Sequence, residues 1–156
     1  METQDYSVSI TVNATTQQAF KSINNVSKWW TENLEGESKK LNDEFTVRFG
    51  EVHVSTQKLI ELIPNKKVVW LVTDSNLNFT KNAHEWTGTK VSFEISEKDN
   101  KTQIRFTHLG LVPAYECFDA CSNAWGDYIN NSLRNLVNTG KGQPTPKEDK
   151  ATNVKM

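Results

Sequence analysis

Phe106-Thr-His-Leu-Gly-Leu-Val-Pro113 and the run that follows it, centred on Cys121-Ser-Asn-Ala-Trp-Gly-Asp-Tyr128, decide how this chain folds. Ile104, Phe106 and His108 alternate with Gln103, Arg105 and Thr107, the period-2 pattern of a strand with one buried face. Beyond Pro113 the period changes. From about Tyr115 to Asn138 the apolar set is Phe118, Cys121, Trp125, Ile129 with Tyr128, Leu133, and Leu136 with Val137. Steps of three and four draw one stripe along a helix of about six turns. Gly140 stands where such a helix is expected to stop. A last strand is thus followed by a long helix whose aromatic face must pack on a sheet. A sheet folded round that helix can enclose a hollow.

The preceding residues supply the sheet. Tyr6, Val8, Ile10 and Val12 alternate with Ser7, Ser9 and Thr11 as a first strand. Asn13-Ala-Thr15 offers N-cap chemistry for a short helix over 16–23 with Ala19, Phe20 and Ile23 inward. Val26, Trp29 and Trp30 are expected on a second short helix, and 31–43 reads as a loop. Phe45, Val47 and Phe49 mark strand two, Gly50-Glu51 a turn, and 52–63 strand three. Pro64-Asn-Lys-Lys67 is a tight turn. Val68 to Thr73 is strand four, apolar on both faces for part of its length. Residues 74–84, with Leu77 and Phe79 as isolated apolar points, read as a loop or irregular edge. Thr89, Val91, Phe93 and Ile95 form strand five, and Lys98-Asp-Asn-Lys101 turns it into strand six. Short connections predict an antiparallel meander from strand two to strand six. The whole is a two-layer α+β domain over residues 1–140. Residues 141–156 are Lys-, Pro- and Thr-rich and are expected to be a disordered tail.

Bulk composition narrows the function. One domain of 156 residues can bury a core of its own. Lys and Arg total 18 against 19 Asp and Glu, and the only arginines are Arg48, Arg105 and Arg134. No strong field and few guanidinium forks mean that nucleic acid is not an expected partner. Nothing at the N-terminus reads as a signal peptide, and runs such as Val68-Val-Trp-Leu-Val72 are too short to span a bilayer. A cytoplasmic location is the expectation. Cys117 and Cys121 lie four apart on the helix and read as two small apolar side chains before they read as a metal or redox pair.

Catalytic signatures are missing: there is no G-x-S-x-G elbow, phosphate loop or H-E-x-x-H, and His53, His84 and His108 lie far apart. No metal or cofactor is expected. Five tryptophans stand out instead. Trp29, Trp30, Trp70, Trp86 and Trp125 either fill a solid core or line a groove with a few polar points, and both readings stay open. His108 shares the apolar face of strand six, as a contact in the hollow, a general acid/base, or a neutral buried imidazole with both nitrogens satisfied. Gly126 beside Trp125 fits a close approach to the sheet, room for a ligand, or a surface position. Glu85 beside Trp86 is the one carboxylate placed near an aromatic site.

The Trp29-Trp30 pair, Glu61-Leu-Ile-Pro64 with Val69-Trp70, Glu85-Trp-Thr-Gly-Thr89, Thr102 through His108-Leu-Gly-Leu111, and Trp125 with Leu133 and Leu136 resemble one family. It is the activator of heat-shock-protein-90 ATPase-like family of the START-like, or SRPBCC, superfamily, and the resemblance spans about residues 5–140. The resemblance implies a helix-grip fold: a curved antiparallel sheet of about six or seven strands round a long C-terminal helix, with two short helices after strand one. It also implies a deep apolar cavity for a lipid-like or aromatic molecule. The expected lining from the sheet and its loops is Trp29, Trp30, Phe45, Trp70, Trp86, Phe93, Phe106 and His108. From the helix it is Phe118, Cys121, Trp125 and Ile129. An enzyme of the cyclase or aromatase type using His108, and a co-chaperone-like interaction domain, are the alternatives. A homodimer is compatible with this reading. A chaperone partner is not expected, since the eukaryotic activators carry a further N-terminal domain unlike anything here. Many relatives place Gly before the helix Trp, whereas this chain has Trp125-Gly126.

Overall fold

Alternating side chains and tight turns make seven strands, and a computed structural model of the chain describes residues 5–49, 53–77, 84–111 and 118–145. The strands are β1 (Tyr6–Val12), β2 (Leu34–Gly36), β3 (Glu44–Phe49), β4 (His53–Ile63), β5 (Lys67–Leu77), β6 (Lys90–Lys98) and β7 (Lys101–Leu109). They form one sheet in the order β1-β7-β6-β5-β4-β3-β2, antiparallel at each pairing. This is the expected meander with β1 added beside β7. At the β6–β7 hairpin both Asp99 (φ 53°) and Asn100 (φ 66°) are left-handed, the conformation a two-residue turn needs to follow the strand twist.

The helices follow their end signals. α1 (Thr16–Asn24) starts at Thr15, whose hydroxyl accepts from Gln18 N–H while the Gln18 side chain accepts from Thr15 N–H, a reciprocal capping box. A single 3-10 turn (Val26–Lys28) follows, and Trp29 and Trp30 come immediately after it instead of lying on a second helix. The C-terminal helix runs as α2 (Phe118–Asp127), a π-helical segment (Tyr128–Leu133) and α3 (Arg134–Thr139). It stops at Gly140, left-handed at φ 85°. The curved sheet grips this helix, with α1 packed near its far end.

Three segments depart from the sequence reading. The 31–43 loop contains the short edge strand β2, which pairs Leu34 to Val47 and Gly36 to Phe45. β5 runs on to Leu77 instead of ending at Thr73, because Ser75 and Leu77 are its inward residues there and a buried serine breaks the apolar alternation. Residues 141–145, placed by composition in a tail, run back along the molecule. Thr145 N–H donates to Trp30 O, and Thr145 O accepts from Glu32 N–H. The proposed turn at Gly50-Glu51, Phe79, and the helix entry from Pro113 through Tyr115 to Cys117 lie outside the described residues.

The core sits between the sheet's inner face and the helices. Phe93 pairs across to Phe106, Ile95 to Ile104, and Trp70 to Val91. Thr15→Ala should lower stability by about 1 kcal/mol, since it removes the acceptor of the Gln18 backbone N–H in the first turn of α1. Urea unfolding checks this, and an unchanged midpoint would remove the cap from the account.

Candidate functional site

Indole rings meet in one continuous stack. Trp29 and Trp30 both lie near-parallel to Trp70 (centroids 6.4 and 5.7 Å), Trp30 stacks on Trp125 at 4.8 Å, and Trp125 on Trp86 at 5.8 Å. Behind the stack the side chains are shut off from solvent. Trp29, Phe45, Trp70, Phe93, Phe106, His108 and Ile129 are each 1% exposed or less. At its edge the packing leaves a cavity of about 190 Å³ between α2 and the β3–β4 end of the sheet. Its walls are Trp30, Phe49, His53, Trp86, Ala120, Cys121, Ala124, Trp125 and Tyr128. Ala120 and Ala124 are exposed, so two methyl groups on α2 form the mouth.

Of the residues expected to line a hollow, Trp30, Trp86, Cys121 and Trp125 reach this wall. Trp29, Phe45, Trp70, Phe93, Phe106, His108 and Ile129 are buried and are not among the described residues of this wall. Phe118 is half-buried against the core. Phe49, His53, Ala120, Ala124 and Tyr128 line the cavity without having been singled out. The helical three carried a signal: Ala120, Ala124 and Tyr128 recur every four residues beside Cys121 and Trp125. For His53 the signal was phase, since His53, Ser55, Gln57 and Leu59 alternate onto the inner face.

His108 is held on both sides. Trp125 Nε1–H donates to its Nδ1 at 3.0 Å. Thr89 Oγ1 lies 2.8 Å from its Nε2 and donates its own proton to Trp86 O at 2.6 Å. The hydroxyl therefore accepts from Nε2–H, and His108 is the neutral Nε2–H tautomer with both nitrogens satisfied. Gly110 permits the contact: at φ 102°, a Cβ there would stand 2.8 Å from Thr89 Cγ2. The Trp86-Thr-Gly-Thr89 turn and the His108-Leu-Gly110 corner thus fix Trp125 and Trp86 together. Gly126 faces β1, where a Cβ would meet Tyr6 OH at 3.2 Å, and is not among the residues of the cavity wall. Glu85 is half-buried and is not part of that wall. Among the described residues no three His, Cys, Asp or Glu side chains gather to share a metal ion, and no helix is long and apolar enough to cross a membrane.

His53 lies on the wall with its Nε2 2.8 Å from Ser55 Oγ, which also accepts from Gln57 Nε2 at 2.6 Å. Trp86, Phe49 and Trp30 pack edge-on around the imidazole, at 4.6, 5.1 and 6.4 Å between centroids. Burial pushes both imidazoles down to about 3, with the neighbouring His53 a lesser cause for His108.

Between their ordinary pKa and that value the unfolded chain takes up protons that the folded protein refuses. The stabilisation is complete above about pH 6.5 and is lost as the pH falls towards 3. From pH 8 to 5 the two histidines together should cost roughly 4 kcal/mol of stability. His53→Leu should nearly halve that dependence. Urea unfolding across this range is the measurement, and a flat profile would contradict the burial of both rings.

No curated protein matches the chain. Among solved structures, the Aha1 dimer of Colwellia psychrerythraea is similar at 25% identity and a TM-score of 0.73, covering 89% of this chain and 99% of that one. A Mesorhizobium loti protein matches at 13% identity and TM-score 0.68, covering 86% and 96%. CalU16 of Micromonospora echinospora matches at 9% identity and TM-score 0.60, covering 84% and 73%. These last two share the fold. The family model described as Activator of Hsp90 ATPase homolog 1-like protein matches residues 14–138. With that match laid over a curved sheet gripping one long helix, the chain belongs to the Activator of Hsp90 ATPase homolog 1-like family.

Proposed function

We propose that the protein binds a small hydrophobic molecule in the cavity between α2 and the sheet. The observation that carries this reading is an aromatic-walled space at the edge of the buried core that opens past two alanines. Size selects the guest. An apolar cavity of about 150 Å³ takes benzene, and drug-sized sites run from about 300 Å³ upward. At about 190 Å³ the space suits one aromatic ring or a short acyl chain, not a sterol. A cyclase-type role for His108 is disfavoured, because both of its nitrogens are engaged within the core.

A homodimer is part of the proposal. Its support is the likeness, over nearly the whole of both chains, to a protein described as a dimer. Sedimentation equilibrium should return twice the chain mass, and a monomer at tens of micromolar would refute it.

Ethylbenzene should quench or shift the emission of Trp30, Trp86 and Trp125 in a saturable titration. Ala124→Trp, which plugs the mouth, should weaken that binding more than about tenfold, the equivalent of losing one buried ring. Cooperative unfolding should be retained. Unsaturable emission changes in the wild type, or full binding in the plugged variant, would rule the cavity out.

A further inference from the structure

The cavity wall carries one polar device that a purely apolar guest would leave idle. Ser55 is 1% exposed and Gln57 fully buried, so the Ser55 hydroxyl proton needs a protein partner. Ser55 Oγ already accepts from Gln57 Nε2–H, and His53 Nε2 is the other polar atom within hydrogen-bond distance among the described residues. With the Gln57 amide oriented so that Nε2 faces Ser55 and Oε1 is left without a partner, Ser55 donates to His53 Nε2, which places the imidazole proton on Nδ1. Among the described residues that Nδ1–H has no partner. A second wall residue, Trp86, is 3% exposed, and its Nε1–H also has none. Trp86 and Phe49 hold the His53 ring edge-on, so its direction is set before anything binds. Among the described residues no lysine, arginine, aspartate or glutamate stands on the wall.

Resting on the reading of this cavity as a binding site, we propose that its ligand is an uncharged single-ring molecule carrying a hydrogen-bond acceptor, such as an aryl ketone or aldehyde. His53 Nδ1–H is the donor that selects it. A hydrocarbon of the same shape leaves that donor unpaired, and an anion meets no cation to offset its lost hydration.

Acetophenone and ethylbenzene, nearly equal in shape, separate the two ideas, with benzoate as the charged control. Affinities for the wild type and for His53→Leu are measured by calorimetry at pH 7. The ratio of ketone to hydrocarbon affinity should fall about tenfold in the variant, the equivalent of one hydrogen bond (~1.4 kcal/mol). Imidazole ¹⁵N NMR of the wild type serves if the variant does not fold. Nδ1 should carry the proton in the free protein, and its signal should move with the ketone and not with ethylbenzene. An unchanged ratio, a proton on Nε2, or benzoate binding as tightly as the ketone would overturn this inference and leave the cavity reading standing. Failure of both neutral compounds to bind would overturn the two together.

Discussion

Five indoles touching in one stack are the constraint on which the molecule depends. They come from four places in the chain: the segment after the 3-10 turn, β5, the 84–88 turn and α2. Each indole buries on the order of 200 Å² and cannot bend, so the elements that carry them must meet at fixed spacings. The polar contacts serve that placement. Trp29 Nε1–H donates to Ile23 O, Trp125 Nε1–H to His108, and Ser132 Oγ to Trp29 O. Trp70 and Trp86 each keep an Nε1–H without a partner among the described residues, a cost accepted for the stacking.

Rigid plates of this size cannot fill every corner. The residual space appears where the stack ends, against Trp30, Trp125 and Trp86, and where α2 presents alanine instead of a larger side chain. The neighbouring strand adds polarity in the same place. His53, Ser55 and Gln57 occupy inner positions of β4 that would elsewhere hold valine or leucine. A buried polar row beside a void is expensive for stability, and this is the kind of local inconsistency that marks binding sites.

The C-terminal helix reconciles a spacing problem. Cys121, Trp125, Ile129, Leu133 and Val137 are all buried and all four residues apart. In a regular α-helix, at about 100° per residue, each such step drifts by about 40°, and four steps would carry the stripe almost to the opposite face. The π segment from Tyr128 to Leu133 puts more residues into its turns and brings the stripe back onto the sheet. It also sets Tyr128 at the cavity, where its hydroxyl bonds Thr145 on the returning strand of chain after Gly140. The helix stop, the returning segment and the cavity wall are therefore one mechanical unit.

Period and end chemistry are local properties, so the sequence alone determined six of the strands, the Thr15 cap, the type and face of the long helix, its stop at Gly140 and the order of the meander. The π segment was not read from the stripe, whose steps of three and four fit a regular helix, although the four-residue run from Cys121 to Val137 within it carried the signal. The site depended on tertiary structure for a different reason. A tryptophan filling a core and one lining a hollow share the same residue type and strand phase, and only the three-dimensional fit of large flat rings decides which side is left empty. The same holds for His53 and His108. His108 is in phase with apolar neighbours and His53 with Ser55 and Gln57, yet it is packing that gives the first two partners in the core and leaves the second with one, Ser55, among the described residues, at a wall.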